Sequence, residues 1–200
     1  MILCVLLFLL ILVVEYIVQK CANEYRASLI THVCLISMGA FFMLYQYSAL
    51  LMQSTASLQP IPSIVCGVVG VMIYVVDLAV KNMILNDVLI LDIKYYFTPK
   101  KNQYFVVVLS LIIACGEELA FRLPLCEINT YTQIVLIVGS VVYGMTHIYF
   151  SKYDMISKII FGFILGIVCL GLKNMLYALI IHIVYNMAVG LFGGLNFTKD

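Results

Sequence analysis

From Ile2 to Phe192 the chain is a succession of apolar runs separated by short polar stretches. Most of them approach the length needed to cross a bilayer. A run of that kind has to satisfy its backbone hydrogen bonds internally, so each is predicted as a helix. A membrane β-barrel would need polar and apolar residues in alternation, and here apolar residues follow one another directly. Charged residues make up 10% of the 200 and hydrophobic ones 64%, whereas about a quarter of a soluble domain is charged. The expectation is an all-α, polytopic transmembrane helix bundle forming one integral membrane domain over residues 1–200. Its eleven basic residues are scattered and form no stripe, which argues against nucleic-acid binding.

Reading the runs in order predicts about seven spans, within a range of about six to eight. They cover about Ile2–Val18, Leu29–Met52, Ile61–Val80, Tyr104–Leu123, Thr132–Phe150, Ile159–Leu172 and Met175–Phe192. Glu15 falls near the end of the first, and Gln19–Ser28 is a polar connection with Lys20, Glu24 and Arg26. Residues 53–60 read as an uncharged loop stopped by Pro60 and Pro62. Gly67 and Gly70 would let a neighbouring helix approach the third span closely. Met83–Leu91 carries Asp87 and is too short to span, so it reads as an interfacial or re-entrant piece. Pro124 should end or kink the fourth span. Ser151–Lys158 reads as a polar loop.

The basic residues set an orientation. Connections after the first, third and fifth spans hold Lys20, Arg26, Lys81, Lys94, Lys100, Lys101, Lys152 and Lys158, and Lys199 in the tail joins them. The opposite side holds Lys173. The positive-inside tendency then puts the N-terminus outside and the C-terminus in the cytoplasm. No basic n-region or small-residue cleavage site marks a signal peptide, so the first run reads as a retained span. The seven cysteines lie mostly in apolar runs without a CxxC pair, as small buried side chains rather than a disulfide framework.

Ionisable groups inside a span are costly and mark a functional site by default. Glu117, Glu118 and Arg122 lie together in the fourth span, His147 in the fifth, and His182 and Asn186 in the seventh. Glu118 and Arg122 are four residues apart and share a helix face, which suits an ion pair. Glu117 is rotated about 100° from Glu118 on a helix and can face a cavity. Each polar group needs a partner in a dry interior, and a common water-filled pocket would supply one. Such a set can hydrolyse an amide. Glu117 would act as general base toward a water, His147 would orient that water or pass the proton on, and His182 and Asn186 would donate to the oxyanion. Cys115 points away from Glu117 and is not favoured as a nucleophile. No cofactor is required, although Glu117, His147 and His182 could instead hold zinc with an open water position. No HExxH accompanies them.

These residues carry a resemblance. The second half, roughly residues 104–192, is similar to the CPBP intramembrane proteases, also called the CAAX-protease and bacteriocin-processing or Abi family. Its EExxxR motif is matched by Glu117, Glu118 and Arg122. Its FxxxH motif is matched at His147, with Tyr143 in place of the aromatic Phe. Its HxxxN motif is matched by His182 and Asn186. The resemblance implies a glutamate-dependent endopeptidase. In it Glu117 and His147 activate water, His182 and Asn186 hold the oxyanion, and Glu118 and Arg122 give support. It also implies a bacterial plasma-membrane protein, given the compact size. The substrate would be a peptide or protein such as a pheromone, a bacteriocin precursor or a lipidated protein. A non-catalytic membrane scaffold or bacteriocin self-immunity protein is the alternative, and a proton-coupled transporter would need an inverted repeat that the chain lacks. Oligomeric state is not legible. One feature strains a joint site. Counted along the predicted spans, His182 and His147 differ by about 10 Å in depth, a gap that tilt or a kink at Pro124 would have to absorb.

Overall fold

A computed structural model describes residues 5–11, 13–14, 17, 25–90, 92–99, 104–127, 129–148 and 151–193, with backbone alone for 25–30, 104–106 and 193. Glu15, Lys20, Cys21, Glu24, Lys100, Lys101 and Lys199 lie outside the described residues. Every described element is helical, and all seven predicted spans contain helical residues. After the N-terminal helical residues come α1 (Tyr25–Ala56), α2 (Pro60–Asn86), α3 (Ile93–Tyr96) and α4 (Tyr104–Phe121). They are followed by α5 (Thr132–Met145), α6 (Lys152–Leu172) and α7 (Met175–Ala188). Among the described residues, four stretches are long and apolar enough to cross a membrane by length and composition, namely Thr31–Ala56, Pro60–Asn86, Lys152–Leu172 and Met175–Phe192.

Several boundaries differ from the sequence reading. The helix α1 runs on to Ala56, with a break at Tyr47 (φ −126°, ψ 25°), so the predicted loop begins later. Met83–Asn86 is the last turn of α2 rather than a separate piece. Asp87 ends that helix at φ 52°, a left-handed conformation that a short polar side chain tolerates. The polar stretch predicted as a loop is helical from Lys152 to Lys158. Ser151 caps α6 by accepting from the Asp154 amide at 2.9 Å and donating to Asp154 Oδ2 at 2.6 Å. The fifth span is shorter as a helix than predicted, ending at Met145, and His147 sits in the turn that follows. Proline acts as expected. The helix α4 stops at Phe121, and Leu123–Cys126 forms a 3-10 turn with Pro124 near its start.

The chain divides into two compact units, residues 1–58 with 116–178, and residues 59–115 with 179–200. The first unit packs around Phe8, Ile36, Met43, Phe121, Leu125, Val135, Tyr143, Phe161 and Leu165, all buried. Glycines permit the close approach of α5 and α6. A Cβ on Gly144 would meet Ile159 and the Met155 backbone, and one on Gly162 would meet Tyr143 at 3.0 Å and Arg122 Nη2 at 3.3 Å. Asn174, buried in the turn between α6 and α7, donates to Ser54 O at 2.8 Å and to Ser57 Oγ at 3.1 Å. Those bonds tie the turn to the end of α1.

The second unit is held by tyrosines. Tyr74 of α2 donates to Tyr96 O at 2.8 Å, Tyr96 to Ile90 O at 2.6 Å, and Tyr185 to Asp77 Oδ2 at 2.6 Å. Gly70 is the close-packing position foreseen on this helix, since a Cβ there would lie 2.7 Å from Ile181 O. Gly67 has nothing within 4 Å and does not serve that purpose. Cys34, Cys66, Cys115, Cys126 and Cys169 are thiols, of which Cys66 and Cys169 are buried and Cys34 is exposed.

Candidate active site

Three elements of the first unit bring ionisable side chains together. The last turns of α4 supply Glu117, Glu118 and Arg122, which are 2%, 0% and 2% exposed. Groups so deeply buried have to be answered by protein partners. Glu118 and Arg122 form the expected pair, with Nε 3.6 Å from Oε2. The guanidinium also lies over the ring of Tyr143 at 4.4 Å and over Phe121 at 5.7 Å, contacts that favour a desolvated cation. Its Nη1 and Nη2 make no hydrogen bond among the described residues, so ring stacking and the carboxylate carry most of its compensation.

Tyr143 stands at the aromatic position of the second motif, and its place gives that position a physical meaning. The ring is fully buried between Arg122 on one side and the imidazole of His147, 5.1 Å away between centroids. An aromatic ring is what this slot requires, and the tyrosine provides it.

His147 reaches Glu117 from the turn after α5. Its Nδ1 is 2.9 Å from Tyr143 O, an atom that can only accept, so Nδ1 carries the hydrogen. Thr146 supports the turn by donating from Oγ1 to the same carbonyl at 2.7 Å. In the neutral ring this leaves Nε2 bare. That nitrogen faces Oε1 of Glu117 at 3.9 Å. Glu117 and His147, singled out separately in the sequence, are thus neighbours.

A third group completes the cluster. Nε2 of His32, on α1, lies 3.3 Å from the same oxygen, Oε1 of Glu117. His32 is 4% exposed, and its ring meets that of His147 edge-on at 5.8 Å. It lies in the first half of the chain, where sequence reasoning named no polar candidate. The same argument from cost would have found an ionisable residue inside the second predicted span.

His182 and Asn186 lie on α7 and belong to the second unit. His182 is buried, and Asn186 donates from Nδ2 to Ser110 O at 3.1 Å. Tyr185, one residue before Asn186, donates to Asp77 Oδ2 at 2.6 Å, and Asp77 is another intraspan acid the sequence reading did not single out. Among the described residues no group of three or more His, Cys, Asp or Glu side chains is arranged to hold a metal ion.

Comparison with known proteins bears on this arrangement. Residues 99–188 match the family model of the type II CAAX prenyl endopeptidase Rce1-like proteins. The match contains all three motifs and begins after α3, so it excludes His32. Neither a curated protein nor a solved structure matches the chain. The match implies a protease, with a peptide or protein as substrate. With the helices long and apolar enough to cross a bilayer, it describes an integral membrane protein. Residues 99–188 are thus an Rce1-like segment, of the CAAX-protease family that the three motifs resemble.

Proposed function

We propose that the chain is an intramembrane endopeptidase in which Glu117 is the general base. The observation that carries the reading is the meeting of two acceptors. Oε1 of Glu117 and the bare Nε2 of His147 stand 3.9 Å apart in a buried site. One water can donate a hydrogen to each, which turns its lone pair toward a substrate carbonyl. As the water oxygen bonds to the carbonyl carbon, Glu117 takes one proton and the carbonyl electron pair moves onto oxygen. The C–N bond then breaks, and the leaving nitrogen receives the proton that Glu117 held. A new carboxyl terminus and a new amine result, with Glu117 ionised again. His147 orients the water throughout and can relay the proton.

The oxyanion donors are assigned to His182 and Asn186 on motif grounds. Glu118 and Arg122 act as support, since their pairing fixes the helix end that carries Glu117. No step requires a metal, and a chelator should leave the rate unchanged. The substrate is a peptide or protein terminus presented at the membrane, such as a pheromone, a bacteriocin precursor or a lipidated protein. The residue pattern suits a cytoplasmic C-terminus and a bacterial plasma membrane.

Replacement of Glu117 by Gln tests the reading, because it keeps size and removes the base. Wild-type protein co-expressed with a substrate should cleave it, and Glu117→Gln should not. Equal cleavage by the two would remove the glutamate mechanism. Absence of cleavage by the wild type would favour a scaffold or immunity role.

A further inference from the structure

We propose that His32, outside the segment matched to the family, is a positioning residue for Glu117. This inference rests on the peptidase reading and deepens it. The ionised carboxylate of Glu117 can only accept, so the 3.3 Å contact has Nε2–H of His32 as its donor. Both imidazoles address a single oxygen, Oε1, but in opposite senses. His32 donates to it, whereas His147 turns a lone pair toward it, because the Nδ1 hydrogen of His147 is committed to Tyr143 O.

That asymmetry has a mechanical consequence. A buried carboxylate can rotate about its terminal torsion, which is broad and roughly two-fold. A donor on one side selects the rotamer that presents Oε1 to His147. His32 donates to the ionised form, the one able to take a proton from water. The edge-on packing of the two rings, 5.8 Å between centroids, also restrains the imidazole of His147. His32 meets the carboxylate of Glu117 and the ring of His147. It acts through Glu117, and the first half of the chain thereby contributes to the chemistry of the second.

Glycine at position 116 agrees with this close seating. A Cβ there would lie 2.8 Å from Ile36 Cγ2, one turn beyond His32 on α1. The absent side chain lets α1 approach α4 near the glutamate.

Two variants separate positioning from mere packing. His32→Phe keeps an aromatic ring against His147 and loses the donor, whereas His32→Gln keeps an amide N–H near the place of Nε2. The full-length protein in detergent would be assayed with an internally quenched, prenylated CAAX peptide. His32→Phe should lower kcat by about 10- to 100-fold with KM unchanged, as expected for loss of a hydrogen bond to a charged group. His32→Gln should recover most of that loss. Infrared difference spectra, with the Glu117 bands assigned through Glu117→Gln, should show those bands displaced in His32→Phe and restored in His32→Gln. The proposal is overturned if His32→Phe leaves both kcat and the Glu117 bands unchanged. It is equally overturned if both variants lose activity and thermal stability together. Should the wild type cleave nothing, or Glu117→Gln cleave normally, the peptidase reading fails, while the infrared bands still decide whether His32 holds the carboxylate.

Discussion

In the second unit, buried polar groups meet at hydrogen-bond distance: Tyr185 with Asp77 and Tyr96 with Ile90 at 2.6 Å, Tyr74 with Tyr96 at 2.8 Å, Asn186 with Ser110 at 3.1 Å. In the first unit, ionisable groups face one another at 3.3, 3.6 and 3.9 Å. The short contacts mostly pair a neutral donor with a backbone carbonyl or a single acid, and they join helices. The longer ones gather two acids, a guanidinium and two imidazoles around the end of one helix. Closely made bonds add stability. A cluster of buried charges held slightly apart adds little stability for its cost, so its presence is better explained by what it can do to a bound water. Substitution at Glu117 or His147 should therefore act through rate, and substitution at the Glu118–Arg122 pair or in the second unit through stability.

The largest effect is expected at His147. His147→Ala removes the acceptor facing Glu117 and should lower kcat by about 100- to 10,000-fold, with thermal unfolding of the purified protein little changed. A comparable rate in the variant would detach the cluster from catalysis. Next is Arg122→Met, which leaves Glu118 buried opposite an apolar side chain. Destabilisation of about 3–5 kcal/mol is expected, read from thermal or denaturant unfolding in detergent. Adding Glu118→Gln to Arg122→Met should restore part of it, and an additive loss would show that the two side chains are not coupled.

In the second unit, Tyr185→Phe removes the donor to Asp77 and should cost about 1.5–3 kcal/mol of stability. Turnover per folded molecule should persist. A fall in kcat without a fall in stability would give Asp77 and Tyr185 a part in the chemistry and erase the contrast between the units. The smallest effect belongs to Tyr143→Phe. The ring that stacks on Arg122 and His147 is kept, so activity should stay within about threefold of wild type, equivalent to less than about 1 kcal/mol. A large loss would assign the tyrosine hydroxyl a role that the family's usual Phe does not supply.

Much of this was legible in the sequence, for particular reasons. Uninterrupted apolar runs dictate helices, because only helices and closed barrels satisfy their backbone in hydrocarbon and a barrel strand would alternate polar and apolar residues. The i,i+4 spacing of Glu118 and Arg122 was sufficient to predict their pairing, because it depends only on local helix geometry. Glu117 and His147 could be nominated from their cost, but not their separation, which depends on how α4 meets the turn after α5. Helix ends were read less well. Polarity suggested a loop at Ser151–Lys158, yet a serine cap and the Asp154 side chain start α6 there. Asp87 similarly ends α2 by a left-handed residue where the sequence suggested a separate segment. The cost of His32 inside a predicted span was legible too, but only the packing of α1 against α4 brings it to the glutamate.

The neighbouring glutamates offer the most direct test, since the account gives them opposite duties on one helix. Glu117→Gln and Glu118→Gln would be purified side by side, and kcat and the unfolding midpoint measured for each. Glu117→Gln should lose about 100- to 10,000-fold in kcat while unfolding near the wild-type temperature. Glu118→Gln should keep turnover per folded molecule and unfold earlier, with Arg122 left short of its counter-charge. The account would be contradicted by the reverse pattern, in which Glu118→Gln is the inactive, stable protein and Glu117→Gln turns over normally.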